Sequence, residues 1–102
     1  MVTALVEVTG EIVRIVLAGD IDFSAQENLS NAIEQALGVD PAKEIYVDMT
    51  KVIFIDSSVI RALLKLQEKA NGKGKSLSIW NCNDHIREIF VIGGFDQMFV
   101  IR

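Results

Sequence analysis

Cysteine, histidine and proline each occur once in the 102 residues, as Cys82, His85 and Pro41. One thiol cannot close an internal disulfide, so the composition fits a reducing, cytoplasmic setting. One Cys and one His do not make a metal cluster, and no metal is expected. A serine hydrolase would have to recruit His85 as its base, and Gly-x-Ser-x-Gly is absent. No Gly-rich phosphate loop or dinucleotide fingerprint occurs either. The chain is therefore read as a non-enzyme, with no catalytic residue and no cofactor. Apolar runs fall well short of the ~20 residues that span a membrane. The N-terminus lacks the basic start and long apolar core of an export signal. Basic residues are outnumbered, ten Lys and Arg against fourteen Asp and Glu, for a net charge of −4. That balance argues against nucleic acid as a partner and suits a basic protein surface better.

What is present is core material: half of the residues are hydrophobic. That is ample for one domain spanning residues 1–102. Leu5, Glu7 and Thr9 alternate with Val6 and Val8, Gly10-Glu11 can turn, and Ile12–Leu17 reads as a second strand, giving an antiparallel hairpin. Gly19-Asp20-Ile21-Asp22 ends it. Ser24 and Glu27 have capping-box spacing, and Ala25, Leu29, Ala32, Ile33, Ala36 and Leu37 fall on one helical stripe stopped by Gly38 and Pro41. Ile45–Met49 reads as a strand, and the nearly continuous apolar positions of Tyr46–Met49 place it inside the sheet.

At Val52–Leu66 the apolar pattern changes from extended to helical, with Asp56-Ser57-Ser58 at the junction. The helix is expected over about Ser58–Ala70, with Ser57 as its N-cap. Leu77, Ile79 and Trp80 mark another strand. Asn83 or Asp84 caps a third helix carrying Ile86, Ile89 and Phe90, with His85 facing solvent. Gly93-Gly94 ends it, and Met98–Ile101 forms a last strand. The fold class is α/β: a mixed sheet of about five strands, with an N-terminal antiparallel hairpin and otherwise largely parallel, packed with three or more helices. In such sheets sites form beyond the carboxyl ends of the strands. Parallel placement of the second strand and the strand before Asp56 brings Asp20, Asp22, Asp56 and Ser57 to one end. A helix N-terminus there suits an added anion such as phosphate. The simplest use of Asp56-Ser57-Ser58 is capping, and of Asp20 and Asp22, turn formation.

The segment Asp48-Met49-Thr50-Lys51-Val52-Ile53-Phe54-Ile55-Asp56-Ser57-Ser58 resembles the signature of the STAS family, specifically the bacterial anti-sigma factor antagonists. Gly19-Asp20-Ile21-Asp22, followed by Ala25, is similar to that family's Gly-(Glu/Asp)-x-Asp loop. Ile86-Arg87-Glu88-Ile89-Phe90 and Gly94-Phe95 resemble its third-helix region. Two departures stand out. Val59 occupies a position usually held by glycine, adding bulk at the first turn. The chain also ends directly after the last strand, where many members continue into another helix.

The resemblance implies a partner switch. Such antagonists bind an anti-sigma factor that is also a serine kinase and thereby free a sigma factor. The kinase phosphorylates the hydroxyl directly after the Asp, here Ser57 rather than Ser58, and a serine phosphatase reverses it. The implied partner surface comprises Asp20, Asp22, Asp56, Ser57, Ser58 and Val59. Phosphate adds about −1.5 to −2 charges at neutral pH, which a helix N-terminus accommodates while the partner meets extra bulk and charge. The family also includes interaction subunits of membrane transport systems for lipids or anions, which need no phosphoswitch, and that second class stays open on the sequence.

Overall fold

A computed structural model describes residues 3–21, 26–39 and 42–102, with residues 3, 20, 21 and 26 described by backbone alone. The elements run β1 (Thr3–Thr9), β2 (Ile12–Ile21), α1 (Gln26–Leu37), β3 (Glu44–Ile55), α2 (Ser57–Gly72), β4 (Ser76–Trp80), α3 (Asp84–Ile92), a short 3₁₀ turn (Phe95–Gln97) and β5 (Val100–Ile101). The five strands form one sheet in the order β1-β2-β3-β4-β5. β1 and β2 are antiparallel and every other neighbouring pair is parallel. The expected α/β class and mixed sheet are thus observed. Gly10 takes φ +60° at the first turn position, where a two-residue hairpin accepts glycine without strain. Ser24 of the expected capping box, and Pro41, lie outside the described residues.

Strand order equals chain order, and right-handed crossovers then carry all three helices to one face. Burial agrees. Val13, Ile15 and Leu17 of β2, Ile45, Val47 and Met49 of β3 and Leu77 and Ile79 of β4 are buried. Against them pack Leu29, Ala32, Ile33 and Ala36 of α1, Val59, Ile60, Leu63 and Leu66 of α2, and Ile86 and Phe90 of α3. Tyr46–Met49 does lie inside the sheet, since β3 is the middle strand. Its residues alternate, however, because among the described residues no helix covers the opposite sheet face: Tyr46 and Asp48 are half-buried. On that face Tyr46 and Trp80 stack at 4.9 Å and Arg102 sits 5.6 Å over the Trp80 ring.

Several boundaries differ from the sequence expectation. β3 is one strand of 12 residues rather than a strand followed by a separate apolar run. α2 runs on to Gly72, with Lys73 as its C-cap and the left-handed turn at Gly74. The last strand is shorter than Met98–Ile101, because Phe95–Gln97 turns and the Met98 amide bonds back to the Phe95 carbonyl at 2.9 Å.

Candidate functional site

The site grows from the junction of β3 and α2. Asp56 has extended backbone, φ −110° and ψ 179°, directly before the first helical residue. Its Oδ1 accepts from the amides of Ser58 at 2.9 Å and Val59 at 3.2 Å. Asp56 is therefore the N-cap, and the expectation that Ser57 caps the helix is corrected. A carboxylate caps as well as a hydroxyl does and adds a favourable negative charge at the positive helix end.

With Asp56 as cap, the two serines separate. Ser57 is the first helical residue and is exposed. Ser58 is half-buried, and its Oγ donates to the same Asp56 Oδ1 at 2.5 Å. The Ser58 hydroxyl is thus held inside the cap, whereas the Ser57 hydroxyl faces water. Asp56 also engages a further group beyond these bonds. Among the described residues no hydrogen bond links Ser57 to His85, which is exposed as the second residue of α3. An activated serine would need such a base within reach.

Val59 does not reach the surface. Its side chain is 0% exposed, within the stripe that α2 turns to the sheet. The bulk expected at the first turn is spent in the core, so Val59 does not belong with the surface residues. Asp20 pairs in register with Phe54, and Ile21 with Ile55, one residue before the cap. The backbone of Asp20 therefore shares the sheet end with Asp56 and Ser57, as parallel placement requires. Asp22 lies outside the described residues.

The structure adds neighbours that the sequence reading passed over. Ile53 is 68% and Phe54 42% exposed, on the strand segment leading to the cap. β4 pairs with β3 only along Glu44–Asp48, so among the described residues no strand flanks the later backbone of β3 on that side. Asn83 takes that place: its Nδ2 donates to the carbonyls of Val52 at 3.3 Å and Ile53 at 3.2 Å. Its Oδ1 accepts from the Ile86 amide at 2.8 Å, which makes it the N-cap of α3. One side chain thus ties the end of β3 to the start of α3. Sequence reasoning left the cap between Asn83 and Asp84 and did not find the bond to β3, which depends on strand register. Beyond Ser58, Arg61 and Lys65 extend a basic line along α2.

Among the described residues no group of acidic, His or Cys side chains is disposed to hold a metal, and no helix is long and apolar enough to cross a membrane. The arrangement offers a solvent-facing hydroxyl at a helix N-terminus, a carboxylate cap beneath it, and exposed apolar residues beside it.

A family model described as "Mlab, STAS domain" matches residues 4–101. A STAS-domain containing protein of Pseudomonas aeruginosa (strain UCBPP-PA14) is 32% identical over 100 residues, covering 98% of this chain and 97% of that protein. Among solved structures, an anti-sigma factor antagonist from Mycobacterium paratuberculosis superposes with TM-score 0.88 at 24% identity, covering 99% and 85% of the two chains. The Bacillus cell fate determinant SpoIIAA in its phosphorylated form gives 0.73 at 23%, covering 98% and 91%. A sulfate transporter family protein from Wolinella succinogenes gives 0.76 at 19%, covering 93% and 80%. These three likenesses establish the shared fold.

Proposed function

The chain belongs to the STAS domain family, and from that premise we propose that it is an anti-sigma factor antagonist switched by phosphorylation of Ser57. The observation that carries this reading is the division of labour between the serines. Asp56 holds the Ser58 hydroxyl, and Ser57 presents its own to solvent on the first helical residue. A kinase active site can reach an exposed hydroxyl without unfolding the turn. The phosphate would then sit at the positive end of α2, where the fold tolerates it.

In the unmodified state the partner, an anti-sigma factor with serine kinase activity, contacts Asp20, Asp22, Asp56, Ser57 and Ser58. Ile53 and Phe54 supply apolar area beside them. Phosphate at Ser57 adds bulk and negative charge in the middle of that surface, so the complex dissociates and the anti-sigma factor returns to its sigma factor. A serine phosphatase resets the switch, and the cycle runs in the cytoplasm. The solved SpoIIAA in its phosphorylated form is a precedent for a modified protein of this fold.

Incubation of the purified chain with its cognate kinase and ATP tests the reading. One phosphate is expected on Ser57, with Ser57→Ala unlabelled and Ser57→Asp failing to retain the kinase in a pull-down. Label that survives Ser57→Ala and is lost in Ser58→Ala refutes the assignment. Co-purification of the native chain with membrane transport components, with no kinase and no phosphate, would favour the transporter-subunit class instead.

A further inference from the structure

A second surface starts where the first ends. Between α1 and α2 runs a groove of about 420 Å³, with Ser58 at one end and Lys69 at the other. Along its floor lie half-buried Ala62 and, beneath it, Ile33 and Leu66 of the core. Its α2 rim is basic: Arg61, Lys65 and Lys69 recur every fourth residue, which stacks them on one helix face. Lys69 is engaged, donating to Glu34 Oε1 at 3.2 Å across the groove and closing its far end. Arg61 and Lys65 make no ion pair with a described residue. They stand exposed over an apolar floor, in a chain whose net charge is −4.

We propose that this groove receives an acidic amphipathic helix of a partner protein. The charge argument selects the sign. In a chain of net charge −4, consecutive cations along a depression favour an acidic segment there over a basic one. The spacing selects the shape. Arg61 and Lys65 are one helical turn apart, about 6 Å, which matches carboxylates four residues apart on a partner helix. An apolar residue between those carboxylates then lies over Ala62 and the floor. Two packed helices present a natural seat for a third, and helix-in-groove docking reads through such spaced anchors. The proposal does not require Ser57 to be modified, so it is tested separately from the switch.

The test is a titration of isotope-labelled protein with a synthetic helical peptide carrying Glu-x-x-Leu-Glu, followed by amide chemical shifts. Saturable shifts are expected at Ile33, Ala62 and Leu66. A peptide with Lys in place of both Glu residues should not bind the parent protein. The double variant Arg61→Glu, Lys65→Glu should lose the acidic peptide by at least about tenfold and gain the lysine peptide. Both substituted residues are exposed, and an unchanged melting curve would show that the variant folds. No saturable shift at millimolar peptide, shifts confined to the open sheet face, or binding indifferent to the charge reversal would each overturn the proposal. So would displacement of the peptide by an equal concentration of inorganic phosphate, which would mark the groove as a simple anion site. Tighter binding of an oligonucleotide than of the acidic peptide would overturn it as well.

Discussion

Replacing Asp56 with alanine removes at least three interactions at once. Oδ1 accepts from the Ser58 amide, the Val59 amide and the Ser58 hydroxyl. The two amides belong to the set of N-terminal groups that α2 cannot satisfy internally. The Val59 amide keeps a contact with the Asp56 carbonyl at 3.2 Å, so its loss is partial. An N-cap replaced by alanine costs about 1 kcal/mol in typical cases, and hydrogen bonds to a charged acceptor contribute roughly 1.5–3 kcal/mol. Asp56 is half-buried, so water replaces part of what is lost, and we expect about 2 kcal/mol for Asp56→Ala. Asparagine keeps an oxygen acceptor and loses the charge facing the helix dipole, so Asp56→Asn should cost roughly 0.5–1 kcal/mol. In a domain of this size 1 kcal/mol corresponds to roughly 4–8 °C in melting temperature. Alanine should thus lower it by about 8–16 °C and asparagine by about half as much or less. Thermal and urea unfolding followed by circular dichroism read both. The serines provide the control. Ser58→Ala should be non-additive with Asp56→Ala, because both lose the same bond, whereas Ser57→Ala should be additive within about 0.5 kcal/mol. Equal stability of the Ala and Asn variants, or Ser57→Ala as damaging as Asp56→Ala, would refute the assignment of Asp56 as the cap.

Three further outcomes are expected. Lys75 is 6% exposed and its Nζ donates to the carbonyls of Val39 at 2.8 Å and Ala42 at 2.5 Å; Lys75→Met leaves both acceptors unpaired and should cost roughly 2 kcal/mol, seen as a lower urea midpoint, and an unchanged midpoint would show that the bonds contribute nothing net. Burial acts to raise the Asp48 pKa, but the Thr50 hydroxyl and amide, Asn81 and the charge of Arg14 outweigh it and hold the carboxyl below its ordinary value. The resulting stabilisation is complete above the ordinary carboxylate range near 4 and fades as pH falls through the lower folded value; Asp48→Asn should therefore lose this acid-side dependence, and identical pH profiles for parent and variant would contradict it. Burial pushes the Cys82 thiol up, against a weaker opposing pull from Arg87; thiolate-specific reagents at pH 8 should label it far more slowly in native than in unfolded protein, and equal rates would show an accessible thiol.

The fold was readable because periodicity and punctuation agreed along most of the chain. Alternation in β1 and β2, the α1 stripe and the glycine stops each reported a real element. The register of the sheet then placed Asp20 beside the junction, as element order alone required. The choice of cap was not readable. Asp and Ser are both favoured N-caps, and the sequence does not say where β3 releases the chain. β3 in fact pairs as far as Ile55, which leaves Asp56 extended in the cap position and moves Ser57 into the helix.

The surface beside the site was hidden for a related reason. Ile53 and Phe54 sit in an apolar run, and a run reads as buried. Core-facing positions of β3 are Ile45, Val47 and Met49, and then Val52 and Ile55, so the period of two is broken after Met49. The break is a pairing irregularity: Val16 and Ala18 of β2 face Asp48 and Lys51 of β3, and Gly19 and Asp20 face Val52 and Phe54. Each shift inserts one extra residue into β3, which is the action of a bulge, and bulges re-aim side chains at strand ends near functional sites. Ile53 and Phe54 thereby turn outward together, three and two residues before the cap. The outcome follows from how β3 pairs with β2, which the local sequence of β3 does not show. The same irregularity thus turns what reads as core sequence into an exposed apolar edge on the Ser57 surface, and a partner that closes over the serine would meet it first.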